Sequence, residues 1–150
     1  MKNPSYLGAA ITGGGNNVGR ALLDANGIVF TPLTPATVST GAAVTYSTAQ
    51  ILGGLILRDP AGAGRSDVTP TAAQLVAACP GITSGVSMRV TIRNTADDAE
   101  TITLTNGTGV TISGTATIAQ NNSKTFIVYF SEVASGKEAV TFYSLGTVTT

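Results

Sequence analysis

The chain has 150 residues, of which 43% are hydrophobic and only 11% are charged, and its eight Lys and Arg balance eight Asp and Glu. This balance excludes the basic excess that usually marks a nucleic-acid-binding protein. The chain has no histidine and a single cysteine, Cys79, so imidazole metal sites, Ser-His-Asp triads, Cys-His dyads and intrachain disulfides are excluded as well.

The length suits one domain with a sizeable core. Because charges are few, the surface depends on hydroxyl and backbone groups for its polarity, and we predict that it packs against other proteins. No stretch approaches the roughly 18 apolar residues of a membrane helix, and no apolar run typical of a signal peptide follows Lys2. We therefore expect a soluble protein made in a cytoplasm, with no nucleic-acid or membrane partner.

Residues 1–42 differ in composition from the rest of the chain. They contain three consecutive glycines, three prolines and only short apolar runs. Because Gly and Pro at this density disfavour long helices and strands, the sequence predicts an extended glycine-rich N-terminal arm with one short strand near residues 28–31. Two hypotheses stay open for the arm: a floppy chain end, and a segment that orders on a neighbouring subunit.

The segment from Ile11 to Leu23 is similar to the glycine-rich nucleotide-binding turn of short-chain dehydrogenases. Such a turn needs a buried strand before it and a helix after it. Only ten residues precede Ile11, and Asn17 stands where the pattern has its middle glycine. We therefore predict no nucleotide site, and no other cofactor.

Two short helices are predicted from a capping pattern that occurs twice. Ser47 and Thr71 are each followed three residues later by glutamine, the spacing at which a hydroxyl and an amide satisfy the free N–H groups at a helix start. Each segment then ends at glycine or proline. The sequence predicts helices at about 49–53 and 71–78.

Two pairs of neighbouring opposite charges follow the first predicted helix. Arg58 lies beside Asp59, and Arg65 lies two residues before Asp67 in a glycine-rich loop. These charges have two interpretations: functional contacts, or a solvated loop with local ion pairs worth less than about 1 kcal/mol each.

The clearest element of the chain is the stretch Val86–Arg93. Its apolar side chains fall at positions 86, 88, 90 and 92, and polar side chains fall between them. A period of two indicates a strand with one buried face and one solvent-facing row. The outward row carries Arg89 and Arg93, so it is either a solvated face or a place of contact with another subunit.

The C-terminal half reads as a series of short strands separated by turns, with Asn106-Gly107 as the strongest hairpin signal. Strands at intervals of about 8–12 residues are typical of an antiparallel sandwich or barrel. We predict an all-β fold: an antiparallel, jelly-roll-like β-sandwich with two short helices, formed by residues 43–150 as a single domain behind the arm of residues 1–42.

The carboxylates are poor candidates for catalysis. Asp97, Asp98 and Glu100 share one turn, where adjacent side chains point apart, and they lack the spacing of a calcium loop. Cys79, between an alanine and a proline, is interpreted as a small buried hydrophobe. We predict no catalytic residue and no metal site, and we do not expect an enzyme.

Five Thr-, Gly- and Ala-rich segments lie between residues 48 and 145, at positions 49–62, 71–81, 91–95, 103–109 and 136–143. They resemble segments that recur in structural proteins of tailed bacteriophages. The resemblance implies a small capsid decoration (cement) protein, a kind of protein that is typically a β-rich trimer seated between major capsid subunits. It therefore implies a homotrimer on the outer surface of a phage head, with the phage major capsid protein as partner. It does not cover the arm.

The alternative function is a tail- or head-fibre module that binds host-surface glycans. For either function, the candidates for partner contact lie in the arm, in the charged loops and on the outward row of the long strand. They are Tyr6, Leu7, Arg20, Arg58, Asp59, Arg65, Arg89 and Arg93.

Overall fold

The structure, a computed structural model, describes residues 33–149 and two short pieces before them. The chain divides into two units, residues 1–33 and residues 34–150. In the first unit, β1 (Leu22–Leu23) and β2 (Val29–Phe30) pair antiparallel. The remainder of the predicted arm before residue 33, which includes the glycine-rich turn, lies outside the described residues.

The second unit is mostly β, with two short helices. Its elements in chain order are β3 (Thr34–Ser39), α1 (Thr48–Leu52), β4 (Gly54–Asp59), β5 (Arg65–Val68), α2 (Ala72–Ala77), β6 (Ser87–Asn94), β7 (Ile102–Thr105), β8 (Val110–Ser113), β9 (Thr117–Ile118), β10 (Asn122–Glu132) and β11 (Ala139–Thr149). Strand β3, which the sequence analysis placed in the arm, pairs with β4 and belongs to this unit.

The strands of this unit form two mixed sheets. One has six strands in the order β3-β4-β6-β10-β11-β8, and the other has three in the order β5-β7-β9. Four neighbouring pairs are parallel: β3 with β4, β4 with β6, β8 with β11, and β5 with β7. The prediction of a purely antiparallel fold is therefore wrong. The alternation of apolar residues specifies which face of a strand is buried, but it carries no information on the direction of the neighbouring strand.

The expected hairpin at Asn106-Gly107 is not formed. Strand β7, before it, lies in the three-stranded sheet, whereas β8, after it, lies in the six-stranded sheet. Gly107 is needed for a different reason: a Cβ atom there would lie 2.5 Å from the carbonyl oxygen of Thr69. The chain crosses between the sheets at this point, and only glycine allows the two backbones to approach so closely.

Both predicted capping boxes are confirmed. Ser47 and Thr71 are the N-caps of α1 and α2, and each accepts a hydrogen bond from the backbone N–H of the glutamine three residues later. Each glutamine side chain accepts a hydrogen bond from the N–H of its cap in return. These boxes stabilise helices too short to be stable by themselves.

The alternation of the long strand is confirmed within β6. Val90 and Ile92 are fully buried, Met88 is half-buried, and the residues between them face away from the core. Val86 precedes the strand and is 43% exposed. Asn94 takes the next inward position and is buried, so the core-facing row ends in a polar group.

One hydrophobic core receives side chains from both sheets. The six-stranded sheet contributes Phe126 and Phe142, whose rings meet edge to face at 6.2 Å, and the three-stranded sheet contributes Ile102 and Ile118. The helices add Ile51 and Leu75. The core therefore lies on one side of the six-stranded sheet.

Candidate functional site

A buried ion pair lies at one end of the core. Nε of Arg58 on β4 donates to Oδ2 of Asp67 on β5 at 2.8 Å, and both side chains have no exposed surface. Nη2 of Arg58 donates to the other carboxylate oxygen at 3.3 Å. The pair joins a strand of the six-stranded sheet to a strand of the three-stranded sheet.

The segment between β3 and α1 satisfies most of the remaining polar groups of this pair. Arg58 donates to the carbonyl oxygens of Thr40, Ala42 and Asp59, so all its N–H groups have acceptors. Asp67 accepts from the N–H of Val44 at 3.0 Å and from the hydroxyl of Tyr46 at 2.9 Å. We refer to Arg58, Asp67 and Tyr46 as the buried cluster.

The electrostatics of the buried cluster favour a structural role. Burial, together with the charge and hydrogen bond of Asp67, raises the pKa of Tyr46 well above its ordinary value. Burial by itself lowers the pKa of Arg58, but the hydrogen bond and charge of Asp67 raise it overall. Tyr46 and Arg58 thus keep their protonation states near neutral pH, and the cluster can orient the segment around it.

Two expectations from the sequence are corrected here. Arg58 is fully buried, so its side chain is not available for contact with a partner. Its charge partner is Asp67, whereas neighbouring Asp59 accepts from the hydroxyl of Ser39 and the N–H of Ala61 and so shapes a turn. Asp59 as a whole is half-buried.

Arg65 and Glu100 each contain a buried atom that finds no partner in the described part of the chain. They are Nε of Arg65 and Oε2 of Glu100, and Glu100 is 6% exposed. Nη1 of Arg65 donates to the carbonyl of Gly64 at 3.2 Å. The two residues lie at the same end of neighbouring strands, because the N–H of Arg65 donates to the carbonyl of Thr101.

Two more polar side chains end the core-facing rows. Asn94 donates to the carbonyls of Glu100 and Ile118 and accepts from the N–H of Ala96, so its burial is compensated. Lys124 on β10 is only 2% exposed, and its Nζ donates to the carbonyl of Thr115 at 2.8 Å. Burial lowers the pKa of Lys124.

The acidic turn after β6 does not form a metal centre. Among residues 33–149, no group of three or more His, Cys, Asp or Glu side chains is arranged to hold a metal ion. Asp97 and Asp98 are both exposed. Cys79 is half-buried against the core, and burial raises the pKa of its thiol, which makes it a poor nucleophile.

The candidate interaction surface is the side of the six-stranded sheet opposite the core, which we call the outer face. It consists of the outward side chains of four adjacent strands: Leu55, Leu57, Ser87, Arg89, Thr91, Arg93, Thr125, Ile127, Tyr129, Thr141, Tyr143 and Leu145. None of these side chains is fully buried, and Tyr143 and Leu145 are 45% and 39% exposed. Within residues 34–149, both helices and the three-stranded sheet place their buried side chains in the core instead.

The register of the strands places an apolar centre on the outer face. Ile127 lies directly between Arg89 and Tyr143 on the neighbouring strands. The rings of Tyr129 and Tyr143 lie 6.3 Å apart. In the next row, the hydroxyls of Thr91 and Thr125 lie 2.8 Å apart. The outer face therefore combines apolar groups and hydroxyls with two cations.

The structure places the predicted contact residues in different environments. Arg89 is exposed and Arg93 half-buried, four residues apart on the outward row of β6. Asp59 and Arg65 lie at the ends of other strands, and Tyr6, Leu7 and Arg20 lie outside the described residues. Sequence reasoning missed the tyrosine pair, because Tyr129 and Tyr143 come together only through the pairing of β10 with β11.

No protein family, curated protein sequence or solved structure matches this chain significantly. No helix in the part of the chain that the structure describes is long and apolar enough to cross a membrane.

Proposed function

We propose that this chain is a capsid decoration (cement) protein of a tailed bacteriophage. It would bind the outer surface of the head as a homotrimer and stabilise contacts between major capsid subunits. The observation that carries the proposal is the outer face: four adjacent strands of the six-stranded sheet with an apolar, hydroxyl-rich side on which no second layer packs within residues 34–149. Such a surface is typical of a site that binds another protein.

The composition and the resemblance to phage structural proteins support the same function. With 11% charged residues, the surface favours contacts made by hydroxyl and backbone groups. Among the described residues, the cation and the carboxylate with the most partners are Arg58 and Asp67. They are enclosed in the buried cluster, where they join the two sheets. A domain with few charged residues suits a protein that binds a preformed shell.

For the fold, we propose that the six-stranded and three-stranded sheets are the two layers of a β-sandwich. The support is the single core that receives side chains from both sheets. A jelly roll is an antiparallel architecture, so the four parallel pairs speak against that finer description.

The test is binding of the purified chain to phage heads that lack it. We expect saturable co-sedimentation with expanded heads, and heads that withstand heating better with the chain bound. Heads that bind none of the chain at micromolar concentration would refute the proposal. Empty heads of an unrelated phage serve as the control.

A glycan-binding fibre module is the second candidate, and one observation favours it. Tyr129 and Tyr143 form an aromatic pair next to Ile127, which faces Arg89 on the neighbouring strand, and Tyr143 is 45% exposed. Aromatic rings with a nearby polar side chain can bind a sugar. Binding to a glycan array that is lost in Tyr143→Ser, together with no binding to heads, would replace the cement function by this one.

A further inference from the structure

The cations of the outer face have no acidic partner in the described part of their own chain. Arg89 and Arg93 point outward from β6, and the single ion pair among the described residues is that of Arg58 and Asp67. Arginine side chains at the edge of an apolar patch commonly determine which partner surface is accepted. The outer face is thus complementary in charge to a partner that carries carboxylates.

The chain itself carries a matching acidic feature. Asp97 and Asp98 are adjacent and exposed in the turn that follows β6, and no cation lies within ion-pair distance of either among the described residues. Arg93 precedes Asp97 by only four residues, yet the two do not pair. The strand holds its arginines on the sheet face, whereas the turn holds its carboxylates beyond the end of the sheet.

The centre of the outer face provides the apolar part of a contact. Ile127 lies next to Arg89 across the strands, and Tyr143 and Leu145 are the most exposed large apolar groups of the face. An apolar centre with a polar rim is the usual anatomy of a protein interface. Two arginines beside such a centre fit a protein surface better than a nucleic acid, which requires a larger basic surface.

We propose that a second copy of this chain docks on the outer face, with its Asp97-Asp98 turn against Arg89 and Arg93 of the first copy. The inference deepens the proposed function, because it names the contact between copies, and it rests on the self-association that this function includes. The two surfaces in contact differ, so the contact is head to tail. A repeated head-to-tail contact forms a closed ring when its rotation allows closure.

Charge reversal in the full-length chain tests this contact by sedimentation velocity without any capsid. We expect the wild type to self-associate, and less strongly at high salt. The double variants Arg89→Glu with Arg93→Glu, and Asp97→Arg with Asp98→Arg, should each weaken association about tenfold or more. The variant that combines all four changes should associate again, because the complementary charges are restored in exchanged positions.

The controls separate a lost contact from a lost fold. Lys137→Glu reverses an exposed charge in another turn and should leave association unchanged. Each variant should keep the circular dichroism spectrum of the wild type, because all four changed side chains lie outside the core.

Four results would overturn the inference: a monomeric wild type, association that either double variant leaves unchanged, a quadruple variant that does not recover, or charge reversals that weaken binding to a nucleic acid but not binding to a second copy. Binding to heads is measured separately. If heads bind the chain but the charge reversals leave self-association unchanged, the inference fails and the proposed function stands. If the charge reversals weaken self-association but heads do not bind the chain, the proposed function alone is refuted.

Discussion

At the level of single residues, two buried cations of this protein differ in how their charge is compensated. Arg58 is enclosed together with a carboxylate and three carbonyl acceptors, so its charge is fully compensated. Lys124 is enclosed with a carbonyl of Thr115 as the acceptor of its Nζ. The first arrangement is costly to break, whereas replacement of the second by an apolar group is expected to stabilise the fold.

The first prediction concerns the buried cluster. Asp67→Asn removes the charge opposite Arg58. It also leaves one side-chain oxygen to accept the hydrogen bonds that two carboxylate oxygens accept in the wild type. We therefore expect a loss of about 3–5 kcal/mol in the free energy of unfolding. The matched control Asp97→Asn changes an exposed carboxylate and should stay within about 0.5 kcal/mol of the wild type. Urea denaturation measures both, and equal effects of the two substitutions would contradict a structural role for the cluster.

The second prediction concerns the pH dependence caused by Lys124. Burial lowers its pKa in the folded chain below the ordinary value of 10.5. At pH values between the folded and the unfolded pKa of Lys124, its amine is protonated in the unfolded chain and largely neutral in the folded chain. The free energy of unfolding therefore rises with pH over that interval. We expect Lys124→Met to be more stable than the wild type at neutral pH, and the difference to shrink as the pH rises towards about 10.

Urea denaturation at several pH values checks this behaviour. Lys137→Met, which removes an exposed amine, is the control for the general effect of replacing lysine by methionine. The measurement stays below pH 10.0 because above it the raised pKa of Tyr46 makes the folded chain lose stability. A difference for Lys124→Met that does not change with pH would show that the folded chain does not depress this pKa.

At the level of elements, interactions between residues close in sequence determined the helices and the buried faces of the strands. The passage of the chain from one sheet to the other depends instead on close approaches of the backbone. Gly107 is the clearest case. A Cβ atom there would lie 2.5 Å from the carbonyl oxygen of Thr69 and 2.6 Å from that of Pro70, and neither backbone atom can rotate away. This glycine sits between β7 and β8, where the chain passes from one sheet to the other.

The third prediction follows from that geometry. Gly107→Ala should lower the free energy of unfolding by about 1–3 kcal/mol, the usual cost of forcing an extra group into a packed region. Gly146→Ala is the matched control, because nothing lies within 4 Å of a Cβ at that position. Thermal denaturation of the two variants compares them, and equal melting temperatures would mean that the crossing relaxes without cost.

At the level of the whole molecule, residues 34–150 form a unit with a hydrophobic core of its own. Among the described residues, the buried members of this core lie between Tyr46 and Phe142. In the proposed function, the N-terminal arm would add a strand to a neighbouring sheet.

The fourth prediction tests this division of roles. A chain without residues 1–27 should fold, as judged by circular dichroism and a cooperative melting transition, but should no longer bind phage heads. Full occupancy of expanded heads by the shortened chain would contradict a role of the arm in docking. A folded chain with intact self-association and lost head binding would assign the arm to the capsid contact and the outer face to the contact between copies.

The candidate site could be predicted from the sequence only in part. Alternation in Val86–Arg93 correctly placed Arg89 and Arg93 on the side of the strand away from the core. The same local reasoning treated Arg58 as a contact residue, because the sequence of β4 does not show that Arg58 forms an ion pair with the aspartate nine residues later. A charge in a strand is exposed or buried according to what packs on that strand, and packing is not local.

By itself, the sequence determined the mostly β character, the two capped helices and the inward row of β6, because each depends on interactions within a few residues of the chain. Only the tertiary structure decided that strands pair in both directions, that Asp67 and Tyr46 enclose Arg58, and that Tyr129 meets Tyr143 on the outer face. The physical reason is that a repeat of two residues specifies which side of a strand avoids water, but the identity and direction of the neighbouring strand depend on long-range packing of the whole chain.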